Sequence, residues 1–136
     1  MKFVTCVARA LLGGMFIVGG YNAAKVPGGR TKVVEGTGLP YAEEFVRFNG
    51  AAQAVGGTAL ALGVFPRAAA VGLIASTIPT TVVGHPFWKD EDPKARQMNL
   101  MQFLKNAAAV GGLMLVAAQP KASLCRCRTK STPAGK

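Results

Sequence analysis

The residues able to do chemistry are few, and their spacing is uneven. His85 is the only histidine among 136 residues. One imidazole excludes bis-histidine haem ligation within the chain and leaves zinc without a ligand set. Its ordinary titration range suits proton exchange with a ligand, and the plainer alternative is an interfacial histidine fixing the turn before Pro86. Lys105 and Asn106 adjoin an apolar run. Lys105 with His85 makes a candidate site for an anion or a lipid head group, against the alternative of snorkelling. Trp88, after Phe87, completes the binding candidates; this pair also suits an aromatic belt at a membrane surface. Arg9, Asn49 and Gln53 are polar residues inside apolar stretches, where an ionisable group is costly and therefore a functional candidate. For Asn49, Gln53, Thr58, Thr77, Thr80 and Thr81 the default is hydrogen bonding between helices. Cys125 and Cys127 flank Arg126, and positive charge favours thiolate; a flexible tail in a reducing compartment makes them inert instead. Cys6 reads as a small buried apolar residue.

Several chemistries are excluded. GGRTK lacks the spacing of a phosphate-binding P-loop, and no GxSxG, HExxH or CxxC is present. Three cysteines cannot staple a secreted scaffold.

The elements that must carry these residues follow from charge position. Half the residues are hydrophobic, yet the formal net charge is +10. Mean hydropathy is +0.29, which excludes global disorder. A chain that is both apolar and basic is either a nucleic-acid binder or a membrane protein with its charges at the bilayer edges. Phe48 to Pro66 is 19 residues without a charge, and Ala68 to Trp88 is 21. Ala10 to Ala24 and Asn106 to Pro120 give 15 each. A helix crossing about 30 Å of hydrocarbon needs roughly 20 apolar residues. The two outer runs reach that length only if they include Arg9 and Lys105, both close enough to a helix end to snorkel. The pattern predicts an all-α, polytopic membrane protein, a bundle of four transmembrane helices at about 3–22, 45–64, 67–84 and 99–118. Residues 1–118 form this domain. Small residues four apart, such as Ala10/Gly14, Ala52/Gly56, Ala59/Gly63, Ala68/Gly72 and Ala107/Gly111, are expected to let helices approach. A cleaved signal peptide is the less favoured reading of the first helix, because Arg9 interrupts its apolar region.

Pro66-Arg67 leaves room only for a tight hairpin. Residues 23–44, rich in Gly and Pro, read as an irregular loop, and 85–98 as a polar one. Residues 119–136 form a basic tail without acids, expected to be disordered. An echo of AVGG at 54–57 and 109–112 hints at two related hairpins. Four spans put both termini on one side. That side carries eight Lys/Arg, the loops opposite carry eight more, and all six acids lie in those loops, so net charge divides as +8 and +2. The reading is a plasma-membrane protein with cytoplasmic termini and a tail drawn to anionic lipid. The tail has no aromatics to stack bases, so nucleic acid is not an expected partner.

The motifs PTT and GHPFW at 79–81 and 84–88, a DP step at 92–93, and FLKN with GGL at 103–106 and 111–113 resemble the DoxX family of small four-helix membrane proteins, most closely its actinobacterial-type members. ARALLGGMFIVGGYNA and LALGVFPRAAA are similar to its first two helices, and the resemblance runs from residue 3 to 118. It implies a membrane setting linked to quinone chemistry or to thiol and oxidative-stress complexes, with no single catalytic motif to carry over. On that basis a quinone becomes a possible ligand of His85 and Lys105. The expected function is an accessory subunit of a membrane redox assembly, more a binding protein than an enzyme. Lipid, redox proteins and further copies of the chain are its expected partners, without a metal. The alternative is a scaffold with no small-molecule site. A dry bundle closed near His85 would favour the scaffold.

Overall fold

The computed structural model describes residues 2–120. Among them the secondary structure is entirely helical: α1 (Lys2–Lys25), α2 (Gly28–Glu35), α3 (Ala42–Leu62), α4 (Pro66–Gly84), a 3-10 turn (Phe87–Lys89) and α5 (Pro93–Ala118). The tail with Cys125 and Cys127 lies outside the described residues. Three stretches are long and apolar enough to cross a membrane: Lys2–Lys25, Pro66–Lys89 and Pro93–Ala118. Only 22%, 22% and 17% of their most apolar windows are buried within the protein. Phe48, Val55, Val71 and Leu115 point outward. An apolar exterior of this kind needs lipid around it, so the chain is a multi-pass membrane protein.

The helix ends show why the elements start and stop where they do. Asp92 accepts a hydrogen bond from the Ala95 amide at 3.0 Å, and Pro93 opens α5. Capping aspartate followed by proline is a strong helix start, so α5 begins six residues before the position expected from hydropathy. Polar residues 93–98 extend an apolar helix because capping, and not hydrophobicity, sets its boundary. The 23–44 segment is not irregular throughout: Gly28–Glu35 is helical. At the hairpin, Gly63 takes φ +71°, and the Val64 amide reaches back to the Ala59 carbonyl at 2.9 Å. A left-handed residue with this reach-back closes α3 and turns the chain into Pro66.

Packing is uneven. The seam between α1 and α3 is by far the most extensive, whereas α1 and α5 barely touch. Glycines build that seam. A Cβ on Gly13 would lie 2.5 Å from the Gly57 carbonyl oxygen, and one on Gly57 would lie 2.7 Å from the Gly13 oxygen. Gly20 and Gly50 face each other in the same way. On each helix the two glycines are seven residues apart, close to two turns of 3.6 residues, so they share one face and the seam runs along both helices at a shallow angle. Small residues four apart also lie in the seam, but not the pairs expected from the sequence: Gly57 and Ala61 face Gly13, and Gly50 and Ala54 face Gly20. A Cβ on Gly14, Gly72 or Gly111 would meet nothing within 4 Å, although one on Gly56 would touch Leu73.

Phe16, Leu60, Ala70, Leu73, Ala109, Leu113 and Val116 form an apolar core. It lies toward the end that holds the α3–α4 turn. There the Arg67 Nε donates to the Ala117 carbonyl at 3.0 Å, closing the C-terminal turn of α5.

Candidate functional site

At the opposite end the bundle opens. A cavity of about 720 Å³ is lined by residues of all five α-helices. α1 and α5, which barely touch, both contribute to its wall. Each helix contributes one face. Val46, Asn49 and Gln53 share the i, i+3, i+7 spacing on α3, as do Asn99, Gln102 and Asn106 on α5, with Lys105 alongside. Ser76, Thr80 and Val83 do the same from α4 at i, i+4, i+7. Met15, Phe16, Phe45, Val46 and Val83 supply apolar wall.

Hydrogen bonds fix the polar surface. Ser76 is a hub: its hydroxyl donates to Asn49 Oδ1 at 2.7 Å and accepts from Gln53 Nε2 at 3.0 Å. Asn106 Nδ2 donates to Thr81 Oγ1 at 3.0 Å, joining α5 to α4. Thr80 turns its hydroxyl back onto the Ser76 and Thr77 carbonyls. Pro79 has no N–H to give the Ala75 carbonyl, and both residues line the cavity.

His85 ends α4. Its amide donates to the Thr81 carbonyl at 3.0 Å, and its own carbonyl accepts from the Phe87 amide at 2.9 Å. The half-buried ring faces Asn99, with Nδ1 3.2 Å from Oδ1, and Asn99 Nδ2 donates to Asp90 Oδ2 at 2.8 Å. Two lining residues are full cations, Lys105 from α5 and Arg30 from α2, both exposed. Among the described residues no Asp or Glu lines the cavity. The lining thus carries two basic side chains, and the site offers donors to a ligand oxygen beside apolar wall for a hydrocarbon part.

The sequence candidates separate into two groups. His85, Lys105, Asn106, Asn49 and Gln53 line this one cavity. Trp88 does not; it is half-exposed and packs edge-on with Phe87 and Phe103, ring centroids 5.1 Å and 6.2 Å away. Arg9 lies at the other end, where Gly63 leaves space for its guanidinium: a Cβ on Gly63 would stand 3.1 Å from Nη2. At 1% exposure Arg9 is enclosed by protein rather than snorkelling. Cys6 is half-buried, its sulfur 3.8 Å from that guanidinium. Sequence reasoning did not single out Arg30, Ser76, Asn99 or Gln102. The spacing of 99, 102 and 106 could have marked three of the α5 positions as one face. Arg30 gave no such signal, because its segment reads as loop.

Comparison with known proteins identifies one relationship. The DoxX family model matches residues 4–86, more than half of the chain. The match ends at Pro86, so α5 with its FLKN motif lies beyond it. Among curated proteins and among solved structures, none matches.

Proposed function

We propose that this chain, which belongs to the DoxX family, is a ligand-holding accessory subunit of a membrane redox assembly, its cavity receiving the head group of a quinone-type amphiphile. The observation that carries the reading is the cavity itself. It brings His85, Lys105 and Asn106 to one space with an apolar wall beside them. A scaffold has no need of such a space, and a closed, dry bundle would have favoured one. Lys105 can donate to a head-group oxygen of a quinone or its quinol form, and the apolar wall accommodates the hydrocarbon part.

In this reading α3 is the fourth membrane crossing. Its 21 residues suffice in length. Its first turns carry Glu43, Glu44 and Arg47, and Arg47 both pairs with Glu43 at 2.8 Å and donates to the Ala24 carbonyl at 3.0 Å. The +8 to +2 charge division supports cytoplasmic termini in a plasma membrane, with the cavity opening on the other side.

The test is binding of a quinone analogue to the purified protein in detergent or nanodiscs. Binding is expected for the wild type and lost in His85→Ala or Lys105→Ala with the fold intact. Absence of wild-type binding removes the quinone reading. Co-purification from native membranes then decides the assembly: a redox protein is expected alongside, whereas the chain alone, or only further copies of it, favours the scaffold.

A further inference from the structure

The imidazole of His85 has two nitrogens, and its neighbours decide what each can do. Asn99 Nδ2 lies 2.8 Å from Asp90 Oδ2. A carboxylate only accepts, so the Asn99 amide must turn its NH₂ toward Asp90; the flipped amide would set two oxygens against each other. Asn99 therefore presents its carbonyl oxygen to His85 Nδ1, 3.2 Å away. A carbonyl also only accepts. In the neutral ring the proton must then sit on Nδ1, and Nε2 carries the lone pair. The main chain at His85 is held by hydrogen bonds on either side. Among the described residues Nε2 has no hydrogen-bond partner.

The surroundings give this lone pair a use. His85 and Asn99 both line the cavity, and among the described residues no carboxylate does. Among the described lining residues the imidazole is thus the one that offers a basic nitrogen lone pair. Arg30 and Lys105 are donors only. They can serve the other oxygens of a head group, but they cannot accept from a hydroxyl.

We propose that Asp90 and Asn99 position His85 as a hydrogen-bond acceptor at the cavity, so that the site takes an amphiphile whose head group donates a hydroxyl, a phenol or hydroquinone type, in preference to one offering only carbonyl or ether oxygens. This rests on the reading that the cavity holds a ligand, and it adds Asp90 and Asn99 as positioning residues.

The single histidine makes the test direct. Protein labelled with nitrogen-15 histidine, without a polyhistidine tag, is placed in nanodiscs at about pH 8.5, where an ordinary imidazole is neutral. The two ring signals then belong to His85 alone. A proton on Nδ1 and a bare Nε2 are expected in the wild type, shifting toward Nε2–H in Asn99→Leu. A wild-type proton on Nε2, or an even mixture, overturns the positioning. The second arm compares nonylphenol with its methyl ether, in which a methyl group replaces the donating hydrogen. The phenol is expected to bind about threefold to tenfold more tightly, the worth of one net hydrogen bond, with the preference lost in Asn99→Leu. Equal wild-type binding overturns the selectivity. If neither probe binds while Nδ1 carries the proton, the ligand reading of the cavity fails, and the selectivity with it.

Discussion

The two long flanks of α1 are built oppositely. On one, α1 meets α3 through glycines, so close that main-chain atoms touch. On the other, α1 and α5 scarcely meet, and the cavity that all five helices line carries amides, hydroxyls, His85 and two basic side chains. Lipid is as apolar as a protein core, so helices in a membrane gain little from hydrophobic burial; close fit and hydrogen bonding must hold them. The first flank relies chiefly on fit, with the Arg47–Ala24 hydrogen bond at one end. The second is held at a distance by polar cross-links that run between α3, α4 and α5. A rigid seam on one side allows an opening on the other.

Breaking the close flank should have the largest effect. Gly57→Leu sets a side chain against the Gly13 carbonyl and the Phe16 Cβ, atoms that cannot move aside. A loss on the order of 3 kcal/mol or more is expected, read as failure to obtain monodisperse protein by size-exclusion chromatography. Ser76→Ala acts on the polar flank and removes the link between Asn49 and Gln53. It should cost about 1–2 kcal/mol, seen as a lowered Tm while the α1–α3 seam survives, which cysteine cross-linking across that seam can follow. Asp92→Ala removes the cap of α5 and should cost about 1 kcal/mol, with hydrogen exchange rising first in residues 93–98. The smallest effect sharpens the contrast. Gly72→Leu meets open space, and a Tm shift equivalent to no more than about 0.5 kcal/mol is expected. If Gly72→Leu proved as damaging as Gly57→Leu, glycine content and not contact geometry would be what matters.

Much of the fold could be read from the chain because the signals are local. Gaps between charges locate apolar helices whatever their neighbours are. Boundaries were less legible: α5 begins at Pro93 through a cap that hydropathy does not register, and α2 forms in a segment whose Gly and Pro content reads as loop. The four-residue pairs named from the sequence, such as Ala10/Gly14 and Ala52/Gly56, are not the ones that build the α1–α3 seam. Such a spacing occurs by chance in any Gly- and Ala-rich helix, whereas the seven-residue spacing of Gly13/Gly20 and Gly50/Gly57 has meaning only once α1 and α3 are seen side by side. Of the candidate site residues, those on the inner faces of helices converged. Trp88 did not, because its ring is taken up by Phe87 and Phe103. Arg9 did not, because its position near the start of α1 puts it at the far end of the bundle.

A chain so apolar and so basic looked contradictory until its charges were placed. Sequence alone determined that it is helical, that it lives in a membrane, and that its single histidine follows an apolar run, since each depends on composition along one stretch of chain. Tertiary structure alone decided which flank closes and which opens, and which polar residues share a space. It also decided that Asn99, on a different helix from the one His85 ends, stands behind the imidazole and is itself held by Asp90. Those outcomes depend on distances between helices, and a linear pattern does not carry such distances.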